Sequence, residues 1–383
     1  MINENKYNYN FEDIRPYTDQ EVPAIVQSIV EDSLFPIVAN YLYPNEDIEF
    51  LKQLLLSTKS VEEFQLKVMH KAIRTIIDKS SSGITFDGFD KMDDNPHILL
   101  ANHRDIMLDS AILDVLLVEH NKPTCQITFG SNLMRGDLVI HIGKINKMFR
   151  IMRGGNIKDF YKNSLEVSAY MRHVITEKKE SVWIAQRNGR TKDGADKTEI
   201  GVLKMFSMSS DKPFLENMNE LNFAPVCISY EYEPCDFLKT AELYISRYQK
   251  YEKSENEDLN SILQGIQQHK GHIHISMTPP ITREELIICD QYEKNNKLVR
   301  LAEIIDKRIY NGYKLYPNNY IAYDLLSGGD TYANFYTKEE KQNFMEYMTD
   351  GIKSLAINAD INELIQIFLS IYANPIKMKQ LHE

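Results

Sequence analysis

Short apolar runs alternate with amphipathic stretches through the middle of the chain. Seven runs are typical of strands, at 84–89, 98–101, 125–129, 149–152, 182–185, 223–230 and 272–277. Helical periodicity lies between most of them, notably at 107–118, 158–177, 199–208 and 237–268. This alternation predicts an α/β fold, with a mixed, largely parallel sheet and helices on both of its faces.

Helical patterns flank this region on both sides. Apolar residues recur at three- and four-residue steps from about 21 to 80, and the pattern is helical again from 283 to about 371. We therefore predict an N-terminal helical segment over 1–80, an α/β domain over 81–280 and a C-terminal helical segment over 281–383. The first segment either packs as a bundle on the domain or lies partly on a membrane surface.

The charge balance argues against nucleic acid as a partner. The 383 residues carry a net charge of -11, whereas nucleic-acid-binding domains present a basic face. One stretch departs from this balance, because residues 141–204 contain fourteen Lys and Arg against seven Asp and Glu. Such a local excess of cations attracts phosphates or an acidic carrier protein.

The remaining composition favours a cytoplasmic protein. The four cysteines are widely spaced, as expected of reduced thiols, and they form no metal-binding motif. Residues 1–10 are mostly polar, unlike a secretory leader, and no apolar run approaches the roughly 20 residues that span a bilayer. We therefore expect any membrane contact to be peripheral.

The strongest candidate chemistry follows the second predicted strand. His103 comes directly after the apolar run 98–101, and Asp109 follows six residues later. A histidine at the end of a buried strand can face a cleft, and a nearby carboxylate can fix its tautomer. We therefore expect His103 to be a general base and Asp109 its partner, although Asp105 is nearer in sequence.

Two basic loops follow other predicted strands. Arg150 and Arg153 flank the fourth strand, just before Gly154 and Gly155. The fifth strand leads into a turn that contains Asn188, Gly189 and Arg190, and Lys192 follows it. Guanidinium groups bind phosphate well, and the backbone N–H groups near glycines can approach it closely.

Taken in order, these blocks resemble the glycerolipid acyltransferase superfamily, which contains the glycerol-3-phosphate and lysophosphatidate acyltransferases. The matched residues are His103 with Asp109, 149–153, 188–190 and 224–226. The resemblance covers roughly residues 80–235, and its first two blocks are the strongest.

The resemblance implies transfer of a fatty acyl group from a thioester to a hydroxyl of glycerol-3-phosphate or a lysophospholipid. His103 would be the base, Asp109 would hold its ring, and Arg150, Arg153, Arg190 and Lys192 would bind the acceptor's phosphate near Asn188 and Gly189. No cofactor or metal is implied. Acyl-CoA and acyl carrier protein both remain open as donors, and the enzyme would work on the inner face of the membrane.

Two departures from the family pattern keep a second hypothesis open. Five residues separate His103 from Asp109, where the family has four, and where the family has Glu this chain has Asn188 in one register and Arg187 in the other. The alternative is a catalytically weakened lipid-binding or scaffold protein that keeps the acyltransferase fold.

Overall fold

A computed structural model describes residues 9–152, 154 and 156–382. Within this part, seven strands form one sheet in the order β1-β7-β6-β2-β5-β3-β4. The strands are β1 Gly83–Asp87, β2 Ile98–Ala101, β3 Gln126–Gly130, β4 Met148–Ile151, β5 Val182–Ala185, β6 Phe223–Tyr230 and β7 His272–Met277. Each lies within two residues of its predicted limits.

The sheet is mixed and largely parallel, as predicted. Strands β2 to β6 share one direction, while β7 pairs antiparallel with β6 and parallel with β1. The carboxyl ends of β2, β3, β4, β5 and β6 therefore meet at one edge. The order in which strands are added to the sheet reverses at β2, since β3 lies on one side of β2 and β6 lies on the other. In open α/β sheets a ligand-binding crevice forms at such a switch point.

Helices cover both faces of this sheet, which confirms the predicted fold class. The helices between strands are α6 Leu108–Glu119, α7 Asp137–Ile145, α8 Ile157–His173, α9 Ile200–Ser207, α10 Phe214–Asn219, α11 Asp236–Tyr248 and α12 Glu257–Gln267. Preceding the sheet are α1 Val22–Glu31, α2 Phe35–Leu42, α3 Ile48–Leu56, α4 Val61–Phe64 and α5 His70–Ser80, with a π-helical turn at Gln65–Met69. After it come α13 Arg283–Asp290, α14 Asn296–Gly312, α15 Pro317–Ser327, α16 Lys338–Ser354 and α17 Ile361–His382.

Alternate residues of the central strands build two cores. Ile98 and Leu100 of β2 pack on one face with residues of α8, α9 and α14, while Leu99 and Ala101 face α5 and α6 on the other. These strand residues are almost fully buried. Burying one such leucine contributes about 1.5–3 kcal/mol, so continuous apolar runs are well suited to strands covered on both faces.

The prediction of one continuous helix over residues 237–268 was wrong. The segment 237–268 forms two helices, α11 and α12, separated by residues 249–256. The break contains neither Gly nor Pro, and its polar residues interrupt the apolar stripe. The predicted segment boundaries at residues 80 and 280 stay a prediction.

No single described helix is long and apolar enough to cross a membrane. The pair Val22–Glu31 and Phe35–Leu42, bent by 95°, meets the length and composition requirements only when the two helices are taken together.

Candidate active site

His103 lies two residues beyond the carboxyl end of β2, at the reversal of strand order. Its ring nitrogen Nδ1 is 2.8 Å from Oδ2 of Asp109, which lies in the first turn of α6. The side chain is 13% exposed. Within the described part of the chain, Nε2 has no hydrogen-bond partner, and it is not among the unpartnered atoms sealed in the interior. One nitrogen is therefore held while the other is left open.

Asp109 is fixed by more than the histidine. The same Oδ2 accepts hydrogen bonds from the backbone N–H groups of Arg104, at 2.6 Å, and Asp105, at 3.0 Å. The hydroxyl of Tyr230 donates to Oδ1 at 2.7 Å. Burial and the nearby Asp109 raise the pKa of Tyr230 well above its usual value, so its hydroxyl stays a donor. A carboxylate held by four donors has a single orientation.

Asp105 faces the turn before α6 and not the ring of His103. Its Oδ1 accepts hydrogen bonds from the backbone N–H groups of Met107 and Leu108, at 2.9 and 2.8 Å, and so holds the turn that precedes α6. Its Oδ2 is buried and has no hydrogen-bond partner among the residues that the structure describes, and burial together with Asp109 raises the pKa of the group. The structure therefore pairs His103 with Asp109, and the Asp105 turn accommodates the fifth intervening residue.

Sequence inspection missed Tyr230 because its position depends on register. Ala101 at the end of β2 aligns with Val226, so β6 continues four residues beyond its neighbour. The side chain of Asn102 bridges this overhang, because it accepts from the N–H of Ile228 at 2.7 Å and donates to its carbonyl at 2.9 Å. The part of β6 that continues beyond β2 brings Tyr230 beside α6. The sequence indicates that β6 is longer than β2, but it does not indicate that the two strands are neighbours.

The loop after β5 packs against the histidine. The N–H of Thr191 donates to the carbonyl oxygen of His103 at 2.7 Å. The ring of Trp183, on β5, meets the imidazole edge to face, with ring centroids 5.3 Å apart. The first contact fixes the backbone of His103, and the second limits the movement of its imidazole ring.

Arg190 is the predicted phosphate ligand that lies in the same region. Arg190 directly precedes Thr191, whose N–H donates to the carbonyl oxygen of His103. Burial raises the pKa of Cys235, and the charge of Arg190 opposes that shift. Nη1 of Arg190 is buried and has no hydrogen-bond partner in the described part of the chain.

Two other residues predicted to bind phosphate, Lys192 and Asn188, make different contacts. Lys192 forms an ion pair with Glu242 of α11, and burial, together with the nearby Lys253 and Arg190, lowers its pKa to about 8. Asn188 is exposed, and its N–H donates to Oε2 of Glu199 at 3.1 Å.

Gly189 has a φ of 78°, a left-handed conformation that suits glycine. It therefore makes the turn that connects the exposed Asn188 to Arg190.

Arg150 lies farther from the histidine. It is on the edge strand β4, three strands away from β2, which corresponds to about 14 Å at ordinary strand spacing. Its N–H pairs with the carbonyl oxygen of Ile14 at 3.0 Å. Arg153 lies outside the described residues, so its predicted contact with phosphate stays a prediction.

Residues 249–258 cross the carboxyl edge of the sheet. Asn132, after β3, donates to Asp258 at 2.8 Å, and Arg135 donates to the carbonyl oxygen of Glu255 at 2.7 Å. At the other end, Lys192 lies over the ring of Tyr251. The connection between α11 and α12 therefore joins the loops that follow β3 and β5.

The described part of the chain contains no preformed metal site. No group of three or more His, Cys, Asp or Glu among the described residues is arranged to hold a metal ion. An open groove of about 550 Å³ lies between α11, α12 and α16, and the residues that line it do not include His103.

No protein-family model matches the sequence, and no curated protein matches it. Among solved structures, the chain is similar to the crystal structure of the 1-acyl-sn-glycerophosphate (LPA) acyltransferase PlsC from Thermotoga maritima. The two share 11% sequence identity with a TM-score of 0.36, over 77% of this chain and 92% of that chain.

Proposed function

We propose that this chain is an O-acyltransferase that moves a fatty acyl group from a thioester to a hydroxyl of glycerol-3-phosphate or a lysophospholipid. The observation that carries the proposal is the 2.8 Å contact between His103 Nδ1 and Asp109 Oδ2, with Nε2 open at the carboxyl edge of the sheet. A histidine held in this way is suited to act as a general base.

The reaction would proceed by proton transfer through Nε2 of His103. The base takes the proton of the acceptor hydroxyl while the oxygen attacks the thioester carbonyl. The tetrahedral intermediate then collapses, the carbon–sulfur bond breaks, and the thiolate leaves with the proton from the imidazolium. Asp109 keeps the proton of the neutral ring on Nδ1 and stabilises the imidazolium that forms.

Cations beside this base support an acceptor that bears a phosphate. Nη1 of Arg190 is buried without a hydrogen-bond partner among the described residues, and Lys192 follows it by two residues. A phosphate bound there would align the neighbouring hydroxyl with His103, because binding at a fixed point lowers the entropic cost of reaction. Arg150 lies three strands from β2 and is not part of this proposed phosphate site, and the contact predicted for Arg153 stays a prediction.

The donor would be acyl-CoA or acyl carrier protein. Both donors carry anionic groups, and the excess of cations over residues 141–204 attracts either one. These donors would place the enzyme in the cytoplasm, working peripherally at the inner face of the membrane.

The test measures thiol release from both donors, with glycerol-3-phosphate and with lysophosphatidate as acceptors. We expect acceptor-dependent release by the wild type, and a loss of about 10²–10⁴ in rate for His103→Ala. His120→Ala is the matched control, because His120 lies at the opposite end of α6. It should keep wild-type activity.

A second outcome would favour the lipid-binding alternative. If the wild type and His103→Ala release no thiol with any donor and acceptor, yet both bind lipid vesicles, the chain is a binding protein and the enzymatic proposal is wrong.

A further inference from the structure

We propose that the start of α8 is a membrane-binding surface that places the carboxyl edge of the sheet on an anionic lipid bilayer. This inference rests on the proposed function, since it supplies the surface from which a lipid acceptor would reach His103. It does not use the catalytic residues themselves.

The first two turns of α8 expose an apolar stripe. Ile157 is 89% exposed, Phe160 is 62% exposed and Tyr161 is 61% exposed. Their spacing of three and four residues places them on one side of the helix. Exposure of three large apolar side chains in one place is unusual for a surface that meets only water.

The charges beside the stripe fit an anionic surface. Lys158 and Lys162 are exposed and lie one turn apart, next to the apolar side chains. The one acidic residue there, Asp159, accepts a hydrogen bond from Asn156 at the helix start. Long basic side chains can extend to anionic lipid headgroups while the apolar residues enter the boundary region of the bilayer.

The position of the stripe follows from the topology. β4 is parallel to β2 through β3 and β5, so both strands end at the same edge. α8 begins soon after the end of β4, and further along it Val167 and Met171 are buried against the sheet. Only its first turns therefore extend beyond the core, at the edge to which His103 opens.

A bilayer fits this surface better than a second copy of the chain. The exposed side chains provide on the order of a few hundred Å², whereas a stable protein interface buries about 800 Å² on each partner. Shallow insertion into lipid needs only a few apolar side chains with flanking lysines.

The experiment measures co-sedimentation with phosphatidylcholine vesicles that contain about 30% phosphatidylglycerol, and with phosphatidylcholine vesicles alone. The double variant Ile157→Ser/Phe160→Ser should weaken binding to the anionic vesicles about tenfold or more, since burial of both side chains is lost. The matched control is Leu34→Ser/Ile37→Ser. It removes two apolar side chains on and just before α2, which are 53% and 67% exposed, and should bind like the wild type.

A charge variant tests the same surface independently if the serine variant does not fold. Lys158→Glu/Lys162→Glu should reduce binding to anionic vesicles, and wild-type binding should weaken at about 0.5 M salt. The proposal is overturned if the wild type does not bind anionic vesicles, or if the α2 control loses as much binding as the α8 variant.

Failure of this inference can be told apart from failure of the proposed function. Thiol release with soluble glycerol-3-phosphate needs no vesicles, so an active enzyme that does not bind vesicles contradicts only the membrane surface. A protein that binds through α8 but transfers no acyl group contradicts only the enzymatic proposal.

Discussion

Asp109 determines the orientation of the candidate base. Its two oxygens accept hydrogen bonds from the ring of His103, two backbone N–H groups and the hydroxyl of Tyr230. Such a carboxylate cannot turn without leaving several donors unpaired in the interior, where each costs about 1–3 kcal/mol. The histidine is therefore held by groups from both β6 and the turn before α6.

The Tyr230→Phe variant tests this arrangement. We expect a decrease in kcat of about tenfold, because Oδ1 of Asp109 loses its donor and the pair is less well fixed. The measurement is acyl transfer at saturating acceptor, with Tyr310→Phe as the control, since that hydroxyl donates to the carbonyl oxygen of Asp196 instead. Equal activity in Tyr230→Phe and the wild type would show that this hydrogen bond does not support catalysis.

At the scale of elements, the strands could be predicted and their order could not. β2 and β6 are continuous apolar runs, which is typical of strands covered on both faces, and the sequence therefore indicates their limits. Their adjacency depends on a pairing between residues more than a hundred positions apart, for which local periodicity contains no signal. The position of Tyr230 beside Asp109 could not be predicted for the same reason.

The candidate site could be predicted in part for similar reasons. His103 and Asp109 are six residues apart, so a single turn brings them together. Arg190 reaches this region only because β5 lies next to β2, and Arg150 remains three strands away because β4 forms the edge of the sheet. The blocks of the sequence give the residue types, whereas the strand order determines which of them can share one substrate.

Close packing between α12 and the Asp105 turn leads to a prediction about two glycines. A Cβ at Gly265 would overlap the Asp105 carboxylate, whereas a Cβ at Gly201 of α9 meets nothing within 4 Å. We expect Gly265→Ala to lower the free energy of unfolding by about 1–3 kcal/mol, and Gly201→Ala to raise it by about 0.5–1 kcal/mol. Denaturant unfolding measures both, and equal effects would contradict the packing described here.

The attachment of the loop after β5 to α14 predicts a pH dependence of stability. Oδ1 of Asp306 accepts hydrogen bonds from the N–H and hydroxyl of Thr198, at 2.8 and 2.6 Å, and burial raises the pKa of Asp306 to about 6. The unfolded chain releases this proton near about pH 3.9, so the folded state binds more protons between these values. Stability from this group therefore falls as the pH rises from about 4 to 6.

The Asp306→Asn variant removes this effect. Compared with Asp306→Asn, the wild type should lose on the order of 2–3 kcal/mol of unfolding free energy over that range. Urea unfolding at several pH values measures the difference. Parallel pH profiles for the two proteins would contradict the raised pKa.

At the scale of the whole molecule, one buried ion network connects the loops around the site. Arg104 lies 2.5 Å from Asp196 and 3.0 Å from Glu233, and Lys239 donates to both Glu233 and the carbonyl oxygen of Arg104. The four charges balance. Burial opposes the charge on Arg104, but Asp196 and Glu233 raise its pKa well above its usual value.

Removal of one member of this network should be costly. Arg104→Met leaves the buried Asp196 without its cationic partner and Glu233 with Lys239 alone, and we expect a loss of about 3–5 kcal/mol of unfolding free energy. Arg300→Met is the control, because Arg300 pairs with Glu303 at the surface and should change stability by less than about 1 kcal/mol. Similar losses in both variants would contradict the structural role of the network.

The central claim is that Nε2 of His103 accepts the proton of the acceptor hydroxyl. Its most direct test is the yield of acylated glycerophosphate, measured by mass spectrometry, from the wild type and from His103→Gln preparations with matched melting temperatures. Glutamine keeps polarity and approximate size but supplies no base, so we predict that product formation falls by about 10²–10⁴. Product formed by His103→Gln at the wild-type rate would contradict the account.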